Sequence, residues 1–578
     1  MKRFNVQIFQ RFWTIAKTYW FSDEKWKARG LLLLIVLLLL AYTGLSVVLN
    51  NQRGELISAL SAKNESRFWQ TVIIFIGVLV VYAPLLAGYT YLRDRLGLAW
   101  RRWLTTDFVQ RYFTDRAFYR INQSNPDIDN PDQRIAEDVK NFTQESLTLA
   151  LVLSDSVLEI IAFSGVLLGI SKELVLFLLG YAIVGTLATV GVFGQPLVRL
   201  NFEQLKREAN FRFSLVRVRE NAEAIAFYQG EAQESAQVNN RFMAAFDNYK
   251  NLLGWELGLN GVTNAYEFIP FILPALVVAP GIFSGDVEVG KVSEAQGAFI
   301  RVFFSLNLIV ARFQSLTAFG AGIDRLYDFA SSLGQVEDTV EGSERTEDTE
   351  TVATPKELET PVIASEVAPE LMLKSLTLQT PNYQRTLIEE LSLELGSQSS
   401  LLVVGPSGCG KSSLMRAIAG LWNSGTGTIQ RPELGELLFL PQKPYMILGS
   451  LRQQLLYPYP DIELDDTQLK GALKQVNLPD LDERFSGFDA EEEWSDVLSL
   501  GEQQRLSFAR VLLHQPKYTI LDEATSALDR DNEKQLYSHL AATKTAYLSV
   551  GHRKSLEEYH QSILRLEEDH TWQLQSLR

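Results

Sequence analysis

Long and short apolar runs divide the chain into two parts. Six runs rich in Leu, Ile, Val and Phe occupy residues 31–50, 70–93, 145–170, 173–195, 261–284 and 295–320. Each run is close to the ~20 residues that a helix needs to cross a bilayer. We therefore predict six transmembrane helices in an all-α membrane domain of residues 30–335. Short apolar runs then alternate with helical ones, which predicts an α/β domain over residues 371–578.

The segments between the apolar runs predict how the helices are oriented. Two long segments, residues 94–144 and 196–260, are rich in Arg, whereas the other segments between the runs are short. Because basic loops stay on the cytoplasmic side, we predict that both long segments are cytoplasmic. We also predict that they are helical extensions of the membrane helices. Residues 1–29 mix basic and aromatic side chains, which predicts an amphipathic helix on the membrane surface.

Charge and composition narrow the classes of partner and cofactor. The net charge of −15 argues against nucleic acid as a partner. Residues 336–370 contain eleven acidic and two basic residues, which predicts a disordered linker between the domains. Cys409 is the one cysteine, so no disulfide can form within the chain. All five histidines follow residue 371, so the membrane domain lacks His and Cys ligands for a transition metal.

A glycine-rich loop carries the clearest chemical signal. Residues 405–412 fit the pattern G-x-x-x-x-G-K-[ST] between an apolar strand and a helix. Such a loop curls its N–H groups around phosphate oxygens, and the helix N-terminus adds partial positive charge. Lys411 should reach the β- and γ-phosphates of ATP, and Ser412 should ligate Mg²⁺. The other predicted ATP-binding positions of the loop are Gly405, Ser407, Gly408, Gly410 and Ser413.

Four later motifs follow the loop in a fixed order. They are Pro441-Gln442 after an apolar strand, Leu498-Ser499-Leu500-Gly501-Glu502, the strand ending in Asp522-Glu523 with Ser526–Asp529 behind it, and Ser549-Val550-Gly551-His552. This order and spacing resemble the ATP-binding cassette family over nearly all of residues 371–578. The resemblance implies ATP hydrolysis, with ATP and Mg²⁺ bound at the glycine-rich loop.

The resemblance also implies roles for single residues. Asp522 would hold Mg²⁺, mostly through water, and Gln442 would sense the γ-phosphate and the metal. Glu523 would polarise the attacking water, and His552 would contact the γ-phosphate. Ser499 and Gly501 would close over the phosphate bound by an opposite subunit. Because the chain carries one loop and one such motif, a homodimer is the simplest way to complete the site.

Two positions depart from the pattern of the family. The usual L-S-G-G-Q reads L-S-L-G-E here, with Leu500 in place of the first Gly and Glu502 in place of Gln. The retained Ser499 and Gly501 predict that the protein is still active. The place of the aromatic residue that stacks on adenine is taken by Thr380, so we assign that role to Tyr383 nearby. The alternative is that Tyr383 is an ordinary turn residue.

Two stretches of the membrane half narrow the resemblance. Residues 130–138 and 220–231 resemble motifs of ABC subfamily D, which includes peroxisomal acyl-CoA and lysosomal cobalamin transporters, and of bacterial SbmA/BacA-like transporters. Residues 19–29 resemble the start of the SbmA/BacA group. This implies an exporter-type (type IV) membrane domain in the cytoplasmic (inner) membrane, with the cassette in the cytoplasm. The second motif would couple membrane helices to the ATPase; the alternative is a capped cytoplasmic helix without that role.

Charged residues also fall within the predicted spans. They are Asp155, Glu159, Glu267, Arg301 and Arg312. Charges inside a membrane are costly and usually face a water-filled cavity or each other. The sequence leaves both alternatives open, a hydrophilic cavity and an interhelical salt bridge.

Together these features predict an ATP-driven half-transporter that imports a bulky hydrophilic solute such as cobalamin or a peptide. The main alternative is a transporter of acyl-CoA, fatty acids or lipids. A third reading, from another class, is an ATP-gated channel or regulator. The apolar spans argue against a cassette protein that acts on nucleic acid or in translation.

Overall fold

The computed structural model describes residues 6–124, 131–341 and 362–577. The chain forms two compact units, Met1–Thr349 and Glu350–Arg578. The described part of the first unit is helical, and that of the second combines helices with two β-sheets.

The helices of the first unit follow the apolar runs but extend well beyond them. Their bounds are α1 Val6–Trp20, α2 Lys25–Ser61, α3 Glu65–Phe113, α4 Ala117–Ser124, α5 Pro131–Gln133, α6 Val139–Ile170, α7 Lys172–Thr189, α8 Gln195–Glu220, α9 Ala222–Tyr228, α10 Glu231–Phe283, α11 Gly290–Ala311 and α12 Phe313–Glu341. Helices α3 and α10 have 49 and 53 residues, more than a bilayer needs, which agrees with the predicted extensions.

Five helical stretches of the described residues are long and apolar enough to cross a membrane. They are Lys25–Ser61, Glu65–Ile121, Pro131–Ile170, Lys172–Glu220 and Glu231–Phe283. The sixth predicted span, residues 295–320, is divided between α11 and α12, which are separated by a turn at Arg312. The polar residues of this span, among them Arg301 and Arg312, lower its hydropathy relative to the other five.

The two motifs that the sequence predicts to be cytoplasmic form short helical segments next to long helices. Residues 134–138 form a turn of π-helix, in which the Asp138 carboxylate accepts hydrogen bonds from Arg134 and, at 2.9 Å, from Arg325 of α12. The second motif forms the short helix α9, which ends at Gln229 in the left-handed conformation. The side chains of Phe227 and Tyr228 are 78% and 88% exposed at its end.

The structure corrects the predicted bounds of the acidic linker. Helix α12 continues to Glu341, and the segment Ala364–Val367 is a β-strand, so both ends of residues 336–370 have regular structure. The strand forms through main-chain pairing with residues 428–431, in the register Ala364↔Thr428. Composition does not report such pairing, because it uses no side chains. The remaining linker residues, 342–361, lie outside the described part of the chain.

The second unit contains the elements predicted for an α/β domain. Its strands are β1 Ala364–Val367, β2 Leu371–Gln379, β3 Thr386–Leu395, β4 Ser400–Val404, β5 Gly425–Arg431, β6 Leu437–Leu440, β7 Tyr518–Asp522, β8 Ala546–Val550, β9 Ser562–Leu566 and β10 Trp572–Ser576. Its helices are α13 Lys411–Ile418, α14 Leu451–Leu456, α15 Asp466–Gln475, α16 Leu481–Arg484, α17 Trp494–Val497, α18 Leu500–His514 and α19 Arg530–Ala541.

The topology of the larger sheet brings the sequence motifs to one edge. Its strand order is β10-β9-β4-β8-β7-β6, and β9, β4, β8, β7 and β6 run parallel. Carboxyl ends of parallel strands meet at the same edge of a sheet, where open α/β folds bind their ligands. The loop after β4, the acidic pair at the end of β7 and the segment after β8 therefore lie side by side.

A buried tyrosine joins the larger sheet to the smaller one. The smaller sheet has the order β1-β5-β2-β3 and shares an apolar core with α13 and the larger sheet. Tyr518 is fully buried in this core, where its hydroxyl donates to the Leu395 carbonyl at 2.9 Å and accepts from the Leu371 N–H at 3.4 Å. One side chain thus satisfies main-chain groups at the ends of β3 and β2.

The substitution Tyr518→Phe should destabilise the cassette without disturbing its packing. It removes one hydroxyl and leaves two buried main-chain groups without that partner, which costs about 1–2 kcal/mol. We expect the melting temperature of the cassette transition to fall by about 2–6 °C in scanning calorimetry. Tyr445→Phe is the matched control, because Tyr445 is exposed. Equal melting temperatures for the two variants would contradict this role of the hydroxyl.

Candidate functional site

The glycine-rich loop has a backbone that only glycine allows at its bends. Gly405 has a φ of +155°, and a Cβ there would lie 2.5 Å from the Leu566 carbonyl oxygen. Gly410 has a φ of +105° and is the N-cap of α13. Helix α13 therefore begins directly at the loop, with its first N–H groups available to an anion.

The remaining residues of the loop lie at its tip and in the first turn of α13. Lys411 is 7% exposed, and its Nζ donates to the carbonyls of Gly405 at 2.9 Å and Pro406 at 2.7 Å. The ammonium group is thus held inside the curl of the loop. Ser407 and Gly408 are exposed at the tip, and Ser413 is half-buried in the first turn of α13. A positive charge beside the N-terminus of a helix suits the polyphosphate of a nucleotide.

Two oxygen ligands suitable for Mg²⁺ meet beside the loop. The hydroxyl of Ser412 donates to Oδ1 of Asp522 at 3.4 Å, joining α13 to the end of β7. Burial, together with the neighbouring Glu523 carboxylate, raises the pKa of Asp522. A bound cation would offset the cost of the negative charge on this buried carboxylate, and Mg²⁺ prefers oxygen ligands. The donor set therefore fits the predicted metal.

Glu523 is the centre of a hydrogen-bonded group of three side chains. Its Oε2 accepts from Gln442 Nε2 at 2.9 Å, and its Oε1 lies 3.1 Å from His552 Nε2. Glu523 has a φ of +49°, a conformation that costs free energy for a residue with a side chain. In this conformation the carboxylate contacts Gln442 and His552, which are far from Glu523 along the sequence. The structure therefore brings together three residues predicted from separate motifs.

A buried glutamine that the sequence analysis did not select holds this group in place. Gln504, in α18, donates to the Gln442 carbonyl at 2.9 Å and to Ser526 Oγ at 3.2 Å. Its Oε1 accepts from the Ala527 N–H at 3.0 Å. One amide thus ties the segment after β6 to the segment after β7. Nothing in the sequence distinguishes it from its neighbour Gln503, which is also buried, because the partners of each amide depend on the packing of α18.

Ser499 and Gly501 lie at the start of α18, away from the glycine-rich loop. Ser499 is the N-cap of the helix, and its hydroxyl and N–H both bond to the Glu502 carboxylate at 2.9 Å. Among the hydrogen bonds of the described residues, none joins Ser499 or Gly501 to residues 405–413. Ser499 is exposed, so it is available to a group outside its own chain.

Tyr383 occupies the turn between β2 and β3. Its φ is +57°, and its N–H donates to the Thr380 carbonyl at 2.8 Å. The ring is half-buried, and the Trp422 indole donates to the Gln379 carbonyl near the same turn at 2.9 Å. The geometry does not distinguish adenine stacking from a turn residue, so the role of Tyr383 stays a prediction.

One pair of the membrane charges forms a salt bridge. Arg301 Nη1 of α11 lies 2.6 Å from Glu159 Oε1 of α6, and Ser305 Oγ donates to Glu159 Oε2 at 2.8 Å. Arg301 also lies over the Phe163 ring. Asp155, one turn before Glu159, interacts with Tyr42, and its Oδ1 is buried without a hydrogen-bond partner among the described residues.

The two other predicted charges do not belong to this group. Glu267 is half-buried in α10, and Arg312 is half-buried at the turn between α11 and α12. Glu159 and Arg301 therefore form an interhelical salt bridge, in which the Arg301 side chain is still 44% exposed. Asp155 keeps a buried oxygen that no described group satisfies.

The substitution Gln504→Leu should slow ATP hydrolysis while keeping the volume of the side chain. It removes the amide that positions the segments carrying Gln442 and Ser526, and small displacements of catalytic groups are costly. We expect the maximal ATPase rate to fall about tenfold, with a much smaller change in half-saturating ATP. Gln535→Leu, an exposed position in α19, is the control. A maximal rate equal to that of the control would show that Gln504 positions nothing.

Family models of known proteins match both parts of the chain. Residues 15–283 match the family model of the ABC transporter transmembrane region 2, and residues 388–526 match that of the ABC transporter. An uncharacterised ABC transporter ATP-binding protein of Synechocystis is 44% identical over 96% of this chain and 82% of its own. The human lysosomal cobalamin transporter ABCD4 is 31% identical over 100% of this chain and 97% of its own.

A solved structure shares the fold. A bacterial Atm1-family ABC exporter with ATP bound aligns with a TM-score of 0.70 at 19% identity, over 95% of both chains. The predicted exporter-type fold with a cassette is thereby confirmed, as is the resemblance to subfamily D. The resemblance to SbmA/BacA-like proteins stays a prediction. The chain belongs to the ABC transporters, as a membrane-embedded half-transporter of subfamily D that couples ATP hydrolysis to transport.

Proposed function

We propose that two copies of this chain form a transporter that imports a bulky hydrophilic solute across the cytoplasmic membrane. The observation that carries the ATPase part is the convergence of Gln442, Glu523 and His552 beside the Ser412–Asp522 pair. These residues surround one place, at the carboxyl edge of the sheet, where a γ-phosphate and a water molecule can meet.

The residues at that edge divide the work of phosphoryl transfer. Lys411 and the N–H groups of the loop bind the phosphates, and Tyr383 stacks on the adenine. Glu523 accepts a proton from the attacking water, while His552 and Gln442 hold its carboxylate in position and contact the γ-phosphate. Ser412, Asp522 and Gln442 would hold Mg²⁺, which neutralises phosphate charge when bound. Such catalysis depends on positioning and charge rather than on covalent chemistry.

A homodimer completes the site. Ser499 and Gly501 lie at an exposed helix N-terminus, a structure that favours an anion. Their own chain uses neither of them at its glycine-rich loop, among the described hydrogen bonds. Closure of two copies would place this N-terminus on the ATP bound by the other copy, so that binding closes the dimer and hydrolysis reopens it. The coupling role of α9 remains a prediction.

The polar group between α6 and α11 supports a hydrophilic substrate. The Arg301 side chain is 44% exposed although the helices around it are apolar. A charged group cannot face lipid at low cost, so Arg301 faces a water-filled pathway in the proposed dimer. Such a pathway suits a solute with amide or hydroxyl groups, such as cobalamin or a peptide.

Transport of acyl-CoA, fatty acids or lipids is the second candidate. The observation that favours it is the salt bridge between Glu159 and Arg301, because a mutually neutralised pair reduces the polarity of a cavity wall. The exposed charge of Arg301 is the reason that we rank hydrophilic import first.

Glu523→Gln should bind ATP but hydrolyse it at about a hundredth of the normal rate or less, because the amide cannot accept the proton from water. The variant should therefore accumulate as an ATP-closed dimer.

Lys411→Ala should instead weaken nucleotide binding, because it removes the charge from the loop. ATPase rates and binding of a fluorescent ATP analogue measure both. Near-normal turnover by Glu523→Gln would exclude Glu523 as the base.

The substrate class can be tested in a cobalamin-dependent bacterial host that lacks its own transporter. The active chain should restore cobalamin uptake or sensitivity to a cationic peptide, and Glu523→Gln should restore neither. Arg301→Gln should reduce uptake severalfold while it leaves basal ATPase near normal, because it changes the pathway and not the nucleotide site.

Arg53→Gln is the matched control for the loss of an arginine charge in the membrane domain. If neither uptake nor peptide sensitivity depends on the active chain, the hydrophilic-import proposal fails. Stimulation of ATPase by acyl-CoA under the same conditions would then support the second candidate.

A further inference from the structure

The departure at Glu502 places a negative charge where a phosphate must approach. Glu502 is in the first turn of α18, three residues after the N-cap Ser499. A carboxylate there stabilises the helix through its cap and its partial positive charge. The same carboxylate repels a phosphate that arrives at the same N-terminus, which a glutamine in this position would not do.

Glu502 also accepts the hydrogen bond that the Ser499 hydroxyl would otherwise donate to a phosphate. The Ser499 hydroxyl donates to Glu502 Oε2 at 2.9 Å and accepts from the Glu502 N–H at 3.3 Å. To donate to a phosphate oxygen, the hydroxyl must turn away from the carboxylate. A full negative charge on Glu502 strengthens the existing bond and makes this exchange less favourable.

Arg484 neutralises that charge from the other side. Its Nη1 lies 2.6 Å from Glu502 Oε1, the oxygen that Ser499 does not use. The Glu502 side chain is only 16% exposed, so water screens it little, whereas Arg484 is 45% exposed. Burial opposes ionisation of Glu502, yet the bonds from Arg484 and Ser499 lower its pKa, so the carboxylate stays charged and depends on Arg484.

The position of Arg484 is fixed by aromatic packing rather than by chance contact. It ends the short helix α16, and its guanidinium lies over the Phe485 ring, 5.3 Å from the centroid. Phe485 packs edge-on against the buried Trp494, whose indole donates to the Gly449 carbonyl at 2.7 Å. The guanidinium is therefore presented to Glu502 by a small, well-packed core.

We propose that Arg484 is a positioning residue of the ATP site of the opposite subunit. It holds and neutralises Glu502, and so keeps the N-terminus of α18 attractive to phosphate and weakens the bond that the Ser499 hydroxyl must break to donate to a phosphate oxygen. This inference rests on the proposed homodimeric site. It explains how a chain with glutamate in this motif retains a working contact to phosphate.

The test is a double-mutant cycle in the full-length protein. Arg484→Gln should raise the ATP concentration for half-maximal ATPase about fivefold, because an uncompensated charge then faces the phosphate. In the chain that already carries Glu502→Gln, the same substitution should raise it less than twofold. The effect of Arg484→Gln should also shrink with added salt, which screens this charge. Maximal rates should change less than half-saturating ATP.

A control separates this electrostatic role from a structural one. Lys470→Gln removes another ion pair to α16, with Asp482, at 3.0 Å, and should leave half-saturating ATP unchanged. A loss in Arg484→Gln that persists at full size with Glu502→Gln, or at high salt, would show that Arg484 only supports the fold. No loss in Arg484→Gln would also overturn the inference.

The proposed function is tested separately in the Glu523→Gln background. There the ATP concentration that closes the dimer is measured by size-exclusion chromatography or inter-subunit fluorescence transfer. If the Glu523→Gln chain closes with ATP, and the chain that also carries Arg484→Gln closes at the same ATP concentration, only the inference fails. If the Glu523→Gln chain itself does not close with ATP, the proposed homodimeric site is wrong, and the inference is wrong as well.

Discussion

The cost of holding a polyphosphate anion at one edge of a parallel sheet shapes the cassette. Gly405 and Gly410 adopt conformations that glycine tolerates best, and the Lys411 ammonium group lies within the loop that they form, bonded to the Gly405 carbonyl. Strands β4, β7 and β8 end at this edge and supply the loop, the acidic pair and His552. The left-handed backbone conformation of Glu523 places its carboxylate at the same edge of the sheet.

The same constraint is the reason that we propose a homodimer. A phosphate held on one face by the loop stays open on the other, and the exposed N-terminus of α18 is the element of this chain suited to cover it. Arg484 and Glu502 then become part of the nucleotide site although neither belongs to the glycine-rich loop. In the membrane domain, the Arg301–Glu159 pair and Asp155 follow a parallel rule, since charges in apolar surroundings must find partners or water.

The sequence predicted elements with a strong local signal and missed contacts that depend on packing. The apolar runs gave the membrane helices, although the turn at Arg312 divides the sixth. Motif order gave the residues that the structure gathers at the sheet edge. By contrast, Gln504 and the Arg484–Glu502 pair join distant segments, and strand Ala364–Val367 pairs through its backbone within a segment that composition predicts to be a disordered linker. Neither kind of contact leaves a periodic or compositional signal.

The central claim is that the start of α18 in one copy covers the glycine-rich loop of another. Its most direct test is a disulfide cross-link in a chain with Cys409→Ser, Ser407→Cys and Leu500→Cys, since Ser407 and Leu500 are both exposed. The account predicts a covalent dimer upon mild oxidation with ATP and Mg²⁺, and little without ATP or when Lys411→Ala is added. Cross-linking that is independent of ATP, or absent in its presence, would contradict the account.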